Sequence, residues 1–157
     1  MRVIQKTIFK YEELSDGAKE KARDWYKDME PFSWNDEWRE SMLAYCGNFG
    51  VKPDWNVGPF CPVEYSHNAT NSNFRGLKLA TIDRDRMLTG FCGDCDFWYA
   101  FYDGFKQTGD ALAAFDAGLY AGLIAWRNDW EYAYSDEAVE EAIICNEYEF
   151  DEKGNIQ

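Results

Sequence analysis

"CGDC", Cys92 to Cys95, has the spacing that lets two thiolates share one metal ion, which is half of a tetrahedral zinc site. The other half could come from Cys61 and His67, the chain's one histidine, with five residues between them. A Cys61/His67/Cys92/Cys95 set is therefore the candidate metal centre, with zinc as its ion. The competing reading is a pair of ordinary cysteines in a hairpin, because no second CxxC exists and Asp94 and Asp96 flank the pair. Thioredoxin-type redox chemistry needs CxxC at a helix N-terminus after a strand. Here the pair reads as a β-turn inside "GFCGDCDFWYAFY", so a redox role is not expected. Asp83 and Asp85 in "IDRDRM" would lie on one side of a strand, where they could hold Mg²⁺ or act as an acid/base pair. Nothing else in the sequence completes such a site, and local ion pairs with Arg84 and Arg86 explain the alternation as well.

Other catalytic patterns are missing. The chain has no P-loop and no GxGxxG, and "GDALAAFDAG" is not a phosphate loop. Any Ser/His/Asp or Cys/His chemistry would rest on His67 alone, in a loop without a nucleophile context. No enzymatic activity is expected and no cofactor other than zinc is considered.

The remaining chemistry is charge. The 157 residues carry a net charge of −13, so nucleic acid and anionic membranes repel the chain, and a basic protein is the expected partner. The charge is uneven: residues 1–53 hold 10 acids and 9 bases, whereas residues 127–157 hold 10 acids and 2 bases. Eight of those acids are Asp136, Glu137, Glu140, Glu141, Glu147, Glu149, Asp151 and Glu152. Helical spacing puts Glu137, Glu140 and Glu141 on one face. Alternation puts Glu147, Glu149 and Asp151 on one side of a strand. Like charges so placed repel, and local stability is given up. Such a run commonly serves solubility. Two ordered rows could also imitate a phosphate backbone and occupy a basic groove.

The elements that must position these residues follow from periodicity. Residues Arg2–Tyr11 read as a strand. Ser15 caps a helix whose apolar face includes Ala18, Ala22 and Trp25 and which stops before Pro31. Ser33 starts a second helix with a stripe of Trp34, Trp38, Met42, Tyr45 and Phe49. Residues 51–76 hold three of the four prolines and read as loop with short strands. Leu77–Asp83 and residues 90–102 read as strands. From Asp110 a long helix carries Gly118 and Gly122 one turn apart, which predicts a close neighbour on that face. Ser135 caps a short helix, and a strand with a Lys153-Gly154 turn follows. The expected fold is a single α+β domain over residues 1–157: one small antiparallel sheet of N-terminal, central and C-terminal strands against about four helices. No membrane span and no secretory signal are seen, and five cysteines argue against a disulfide scaffold, so a cytosolic protein is expected.

The opening "TIFKYEELSDGAKEKARDWYKD" and closing "SDEAVEEAIICNEYEFDEKGNI" resemble small acidic proteins carried by bacteriophages and prophages, with "IDRDR" a weaker third point. Some of those proteins are labelled antitoxins. The resemblance implies a phage accessory role in the host bacterial cytosol, of the anti-CRISPR or anti-restriction kind, and brings no catalytic residues. The expectation is a non-enzymatic inhibitor or DNA mimic that binds a basic host protein, such as a CRISPR effector, through the eight carboxylates. An antitoxin for a co-encoded toxin and a zinc-stabilised structural or regulatory module are the alternatives.

Overall fold

The chain's outer segments pair with each other. In the computed structural model, which describes residues 7–157, β1 (Phe9–Lys10) lies antiparallel to β4 (Glu149–Phe150). Phe9 faces Phe150 and Lys10 faces Glu149. The strand expected over Arg2–Tyr11 is two residues long within the described part, and its first five residues lie outside the described residues. The architecture is α+β, and the described residues form five α-helices and two two-stranded antiparallel sheets. The chain forms two compact units, one from the segments up to Ser33 and from Tyr132 onward, the other from Trp34–Glu131.

In the first unit, α1 (Asp16–Lys27) and α5 (Asp136–Cys145) bury one face each. Ala18, Ala22, Val139, Ile143 and Phe150 form the centre, and Trp25 meets Tyr148 and Phe150 edge-on at 5.2 and 5.9 Å. Edge-to-face rings at this separation add attraction beyond the area they bury. Ser135 caps α5 as its position predicts, its Oγ accepting from the Ala138 N–H at 3.2 Å. The expected C-terminal turn also forms: Ile156 bridges back to Phe150 around Gly154.

The second unit holds α2 (Asn35–Asn48), β2 (Pro53–Asn56), β3 (Glu64–His67), α3 (Asp94–Thr108) and most of α4 (Ala111–Ala133). Its core is aromatic. Tyr45 stacks on Phe115 with centroids 5.1 Å apart and donates its hydroxyl to the Phe115 carbonyl at 3.0 Å. The close approach expected at Gly118 and Gly122 is present. A Cβ on Gly118 would strike the Tyr45 hydroxyl, and one on Gly122 would lie 2.6 Å from the Met42 sulfur.

Three expectations are corrected. The single sheet is two separate sheets, because the central strands are β2 and β3, paired with Trp55 opposite Tyr65. Leu77–Asp83 is not a strand; Leu79–Thr81 is a single 3-10 turn, and the chain beyond it lies along α3, where the Trp98 indole N–H bonds the Asp83 carbonyl at 2.6 Å. Residues 90–102 are not a strand either. From Asp94 onward they are helix, with Phe97, Trp98, Phe101 and Phe105 recurring on one face and the first three buried. The aromatic residues that suggested a strand by propensity pack instead at helical spacing.

Candidate functional site

The four candidate metal ligands all lie in the second unit, but the structure does not bring them together. Among the described residues no group of three or more His, Cys, Asp or Glu side chains is placed to hold a metal. Cys61 turns inward on its own loop, its thiol donating to the Gly58 carbonyl at 3.2 Å. Cys92 and Cys95 sit at the start of α3, and the Cys95 sulfur lies 4.0 Å from that of Met87. His67 is committed at both nitrogens: Nδ1 accepts from the Ala69 N–H at 3.2 Å, and Nε2 faces Asp116 Oδ1 at 3.1 Å. With Nδ1 an acceptor, the neutral ring carries its proton on Nε2 and donates it to Asp116. Tyr65 donates to the same carboxylate at 3.2 Å. To ligate a metal or take a proton from a substrate, the ring would have to give up one of these bonds.

Asp83 and Asp85 do not form a paired site. Asp83 caps its own turn through the Asp85 N–H at 3.1 Å, and Asp85 reaches the Tyr99 hydroxyl at 3.4 Å. The neighbouring arginines lie over α3: the Arg84 guanidinium is 4.7 Å above the Tyr99 ring with Asp103 at 3.8 Å, and Arg86 is 6.0 Å from the Trp98 ring.

The eight acidic candidates are all in the first unit, and they divide into two sets. Glu140 faces α1, accepting from Arg23 Nη1 at 2.7 Å and from the Tyr11 hydroxyl at 2.8 Å. Asp136 pairs with Lys27 at 2.6 Å and Arg23 at 3.7 Å. Glu149 pairs with Lys10 across β1 and β4 at 3.4 Å. Asp151 holds the C-terminal turn, accepting from the Lys153 and Asn155 N–H groups, both at 2.9 Å, and from the Asn155 amide at 2.7 Å. These contacts show in the acidities. The Lys27 hydrogen bond holds the Asp136 carboxyl below its ordinary range, and the Asn155 hydrogen bonds do the same for Asp151. Burial, with the Glu140 hydrogen bond second, pushes the Tyr11 phenol up to about 12.

The second set is Glu137, Glu141, Glu147 and Glu152. All four are exposed, and among the described residues no basic side chain forms an ion pair with their carboxylates; the Lys10 ammonium donates to the Glu147 backbone carbonyl at 3.0 Å. Glu137 and Glu141 stand one turn apart on the outer face of α5, beside exposed Ile144. The expected strand row of Glu147, Glu149 and Asp151 does not exist: Glu147 ends α5 in a left-handed conformation at φ 54°, and Asp151 lies in the turn. No family model, curated protein or solved structure matches the chain.

The structure also assembles a cleft that periodicity concealed. Trp34, Gly90, Phe91, Cys92 and Asp129 line a hollow of about 310 Å³ in the second unit. By spacing, Trp34 belongs to the buried stripe of α2. It stands just before the helix instead, 55% exposed and stacked on Phe91 at 5.9 Å. The cap expected at Ser33 is corrected with it: Trp34 itself holds the N-cap position of α2, with non-helical backbone angles, so its side chain leaves the helical face.

Proposed function

We propose that the protein is a non-enzymatic binding protein that acts in a bacterial host's cytosol on a basic, nucleic-acid-binding surface of a defence protein, as a phage-encoded inhibitor. The observation that carries this reading is the division of the acidic end. Four carboxylates are held within the first unit, yet the carboxylates of Glu137, Glu141, Glu147 and Glu152 are exposed and, among the described residues, form no ion pair; Lys10 reaches only the Glu147 backbone carbonyl, at 3.0 Å. The described part of that unit has fifteen acids against six bases. Its negative field steers basic partners, and the unpaired carboxylates on the short, capped helix α5 meet them with little ordering cost. The working face is thus half of the eight residues expected from sequence. The committed nitrogens of His67 support a binding role over catalysis, and the likeness of both chain ends to phage proteins supports the setting.

The test is capture of partners from host lysate at low and high salt by the wild-type protein and by Glu137→Lys/Glu141→Lys. A captured nucleic-acid-binding protein that is lost at high salt, lost with the variant and displaced by DNA supports the reading. A single partner encoded beside this chain would make it an antitoxin. An identical capture by wild type and variant removes the face from consideration.

A further inference from the structure

The cleft of Trp34, Phe91, Cys92 and Asp129 has the composition of a receptor for an organic cation, and it is built in advance of any ligand. Its rings are fixed. Phe91 is stacked on Trp34 at 26° and meets Trp38 edge-on at 5.2 Å. A Cβ on Gly93 would lie 2.7 Å from both Phe91 and Trp38, so only glycine there lets the two rings close over the backbone. The loop that carries Phe91 is held from below by fully buried Asp94, whose Oδ2 accepts the N–H groups of Leu88, Thr89 and Gly90 at 2.7, 2.7 and 3.1 Å.

Its charge is negative and uncompensated. The Trp38 indole N–H, at 3.0 Å, orients the Asp129 carboxylate through Oδ2, and among the described residues no side chain pairs with Oδ1. Among the described residues no basic side chain pairs with Asp129 or Asp96. Partial desolvation, and then the charge of Asp129, push the Asp96 carboxyl up. Aromatic faces beside a carboxylate attract a cation through the ring quadrupole and the charge together. A guanidinium fits best: it is planar, weakly hydrated, stacks flat on a ring and forks onto a carboxylate, whereas an ammonium holds its water. The molecule uses the same arrangement for itself on α3, where Arg84 lies over Tyr99 beside Asp103.

We propose that this cleft binds the guanidinium group of a peptide-borne arginine, stacked on Trp34 and paired with Asp129. This site is separate from the carboxylates of α5, and either can stand without the other. The test is a nuclear magnetic resonance titration of the labelled protein with N-acetyl-arginine methylamide, read at the indole N–H signals of Trp34 and Trp38 and the ring signals of Phe91. Saturable shifts are expected at all three. The citrulline analogue, neutral and isosteric, should give none, and the lysine analogue should bind at least fivefold more weakly. Asp129→Asn keeps the acceptor for Trp38 and should weaken arginine binding about tenfold. Trp34→Ala, at an exposed position, should do the same without loss of helicity. Glu137→Lys/Glu141→Lys should bind the probe as wild type does, so loss of the α5 reading leaves this one intact. Equal binding of the citrulline or lysine analogue, or unchanged binding by Asp129→Asn and Trp34→Ala, would overturn the proposal.

Discussion

Glu140 and Glu141 are adjacent in sequence and opposite in role, and replacing each by Gln should separate the two. Glu140 Oε1 receives two short donors, Arg23 Nη1 at 2.7 Å and the Tyr11 hydroxyl at 2.8 Å. Hydrogen bonds to a charged group are worth about 1.5–3 kcal/mol when shielded, and exposed ion pairs about 0.2–1 kcal/mol. The side chains of Arg23 and Glu140 are 20% and 40% exposed, which places the pair between those limits. Gln keeps an acceptor but loses the charge, so Glu140→Gln should cost ~1 kcal/mol. Glu141→Gln removes an exposed carboxylate without a basic partner and should stay within about 0.5 kcal/mol of wild type. The assay is urea unfolding followed by far-ultraviolet circular dichroism, on Arg23→Met, Glu140→Gln and the double variant. The cycle should return a coupling of ~1 kcal/mol that shrinks in 1 M salt, where screening acts within about 3 Å. The Tyr11 phenol gives a second readout. Its folded value near 12 lies above the ordinary 10, so its stabilisation is present below pH 10 and is lost as pH rises toward 12. Glu140→Gln should move the tyrosinate absorbance transition to lower pH. Equal costs for the two Gln variants, or a coupling under about 0.3 kcal/mol, would refute the division of the acidic residues into internal and external sets.

Three further outcomes are expected. Gly118→Ala drives a methyl into the Tyr45 hydroxyl and should cost about 1–2 kcal/mol after the gain in helix propensity, whereas Gly47→Ala on α2 meets nothing within 4 Å and should stabilise by up to ~1 kcal/mol; thermal unfolding gives both signs. Lys27 lowers the Asp136 carboxyl, so the stability from this pair is present above the ordinary carboxylate range near 3.9 and is lost as pH falls through the lower folded value. Lys27→Met should therefore flatten the acid limb of the stability–pH curve, as followed by acid titration of the circular dichroism signal. Burial pushes the Cys46 thiol up to about 12, so alkylation read by mass spectrometry should label exposed Cys92 and Cys145 first and Cys46 only on unfolding.

Four helices could be read in the sequence because each has an apolar face and a start or stop residue of its own: Ser15 and Pro31 around α1, Ser135 before α5. The paired terminal strands were legible too. α3 was hidden because its face is aromatic, and aromatic runs suit strands as well; only packing against Tyr45 and Phe49 decides for a helix. The acidic run was visible in the sequence, but its arrangement depends on partners far away in the chain. Arg23 is 117 residues from Glu140 and Lys10 faces Glu149 across two strands, and nothing local announces either pairing. The zinc set meets the same limit: spacing proposes ligands and the path of the backbone places them, and among the described residues no three or more such side chains come together.

The pairing of the outer segments also sets an order of events during synthesis. Trp34–Glu131 is one continuous stretch, and the unit it forms can begin to fold as it leaves the ribosome. The other unit cannot. Lys27 and its partner Asp136 are 109 residues apart, which at about 5–20 residues per second is a wait on the order of 5–20 s. Throughout that interval α1 carries Ala18, Ala22 and Trp25 with no α5 to cover them. A nascent chain in this state is a substrate for chaperones and proteases, and a stalled ribosome or a premature stop before Asp136 would leave α1 uncovered for as long as the fragment lasts.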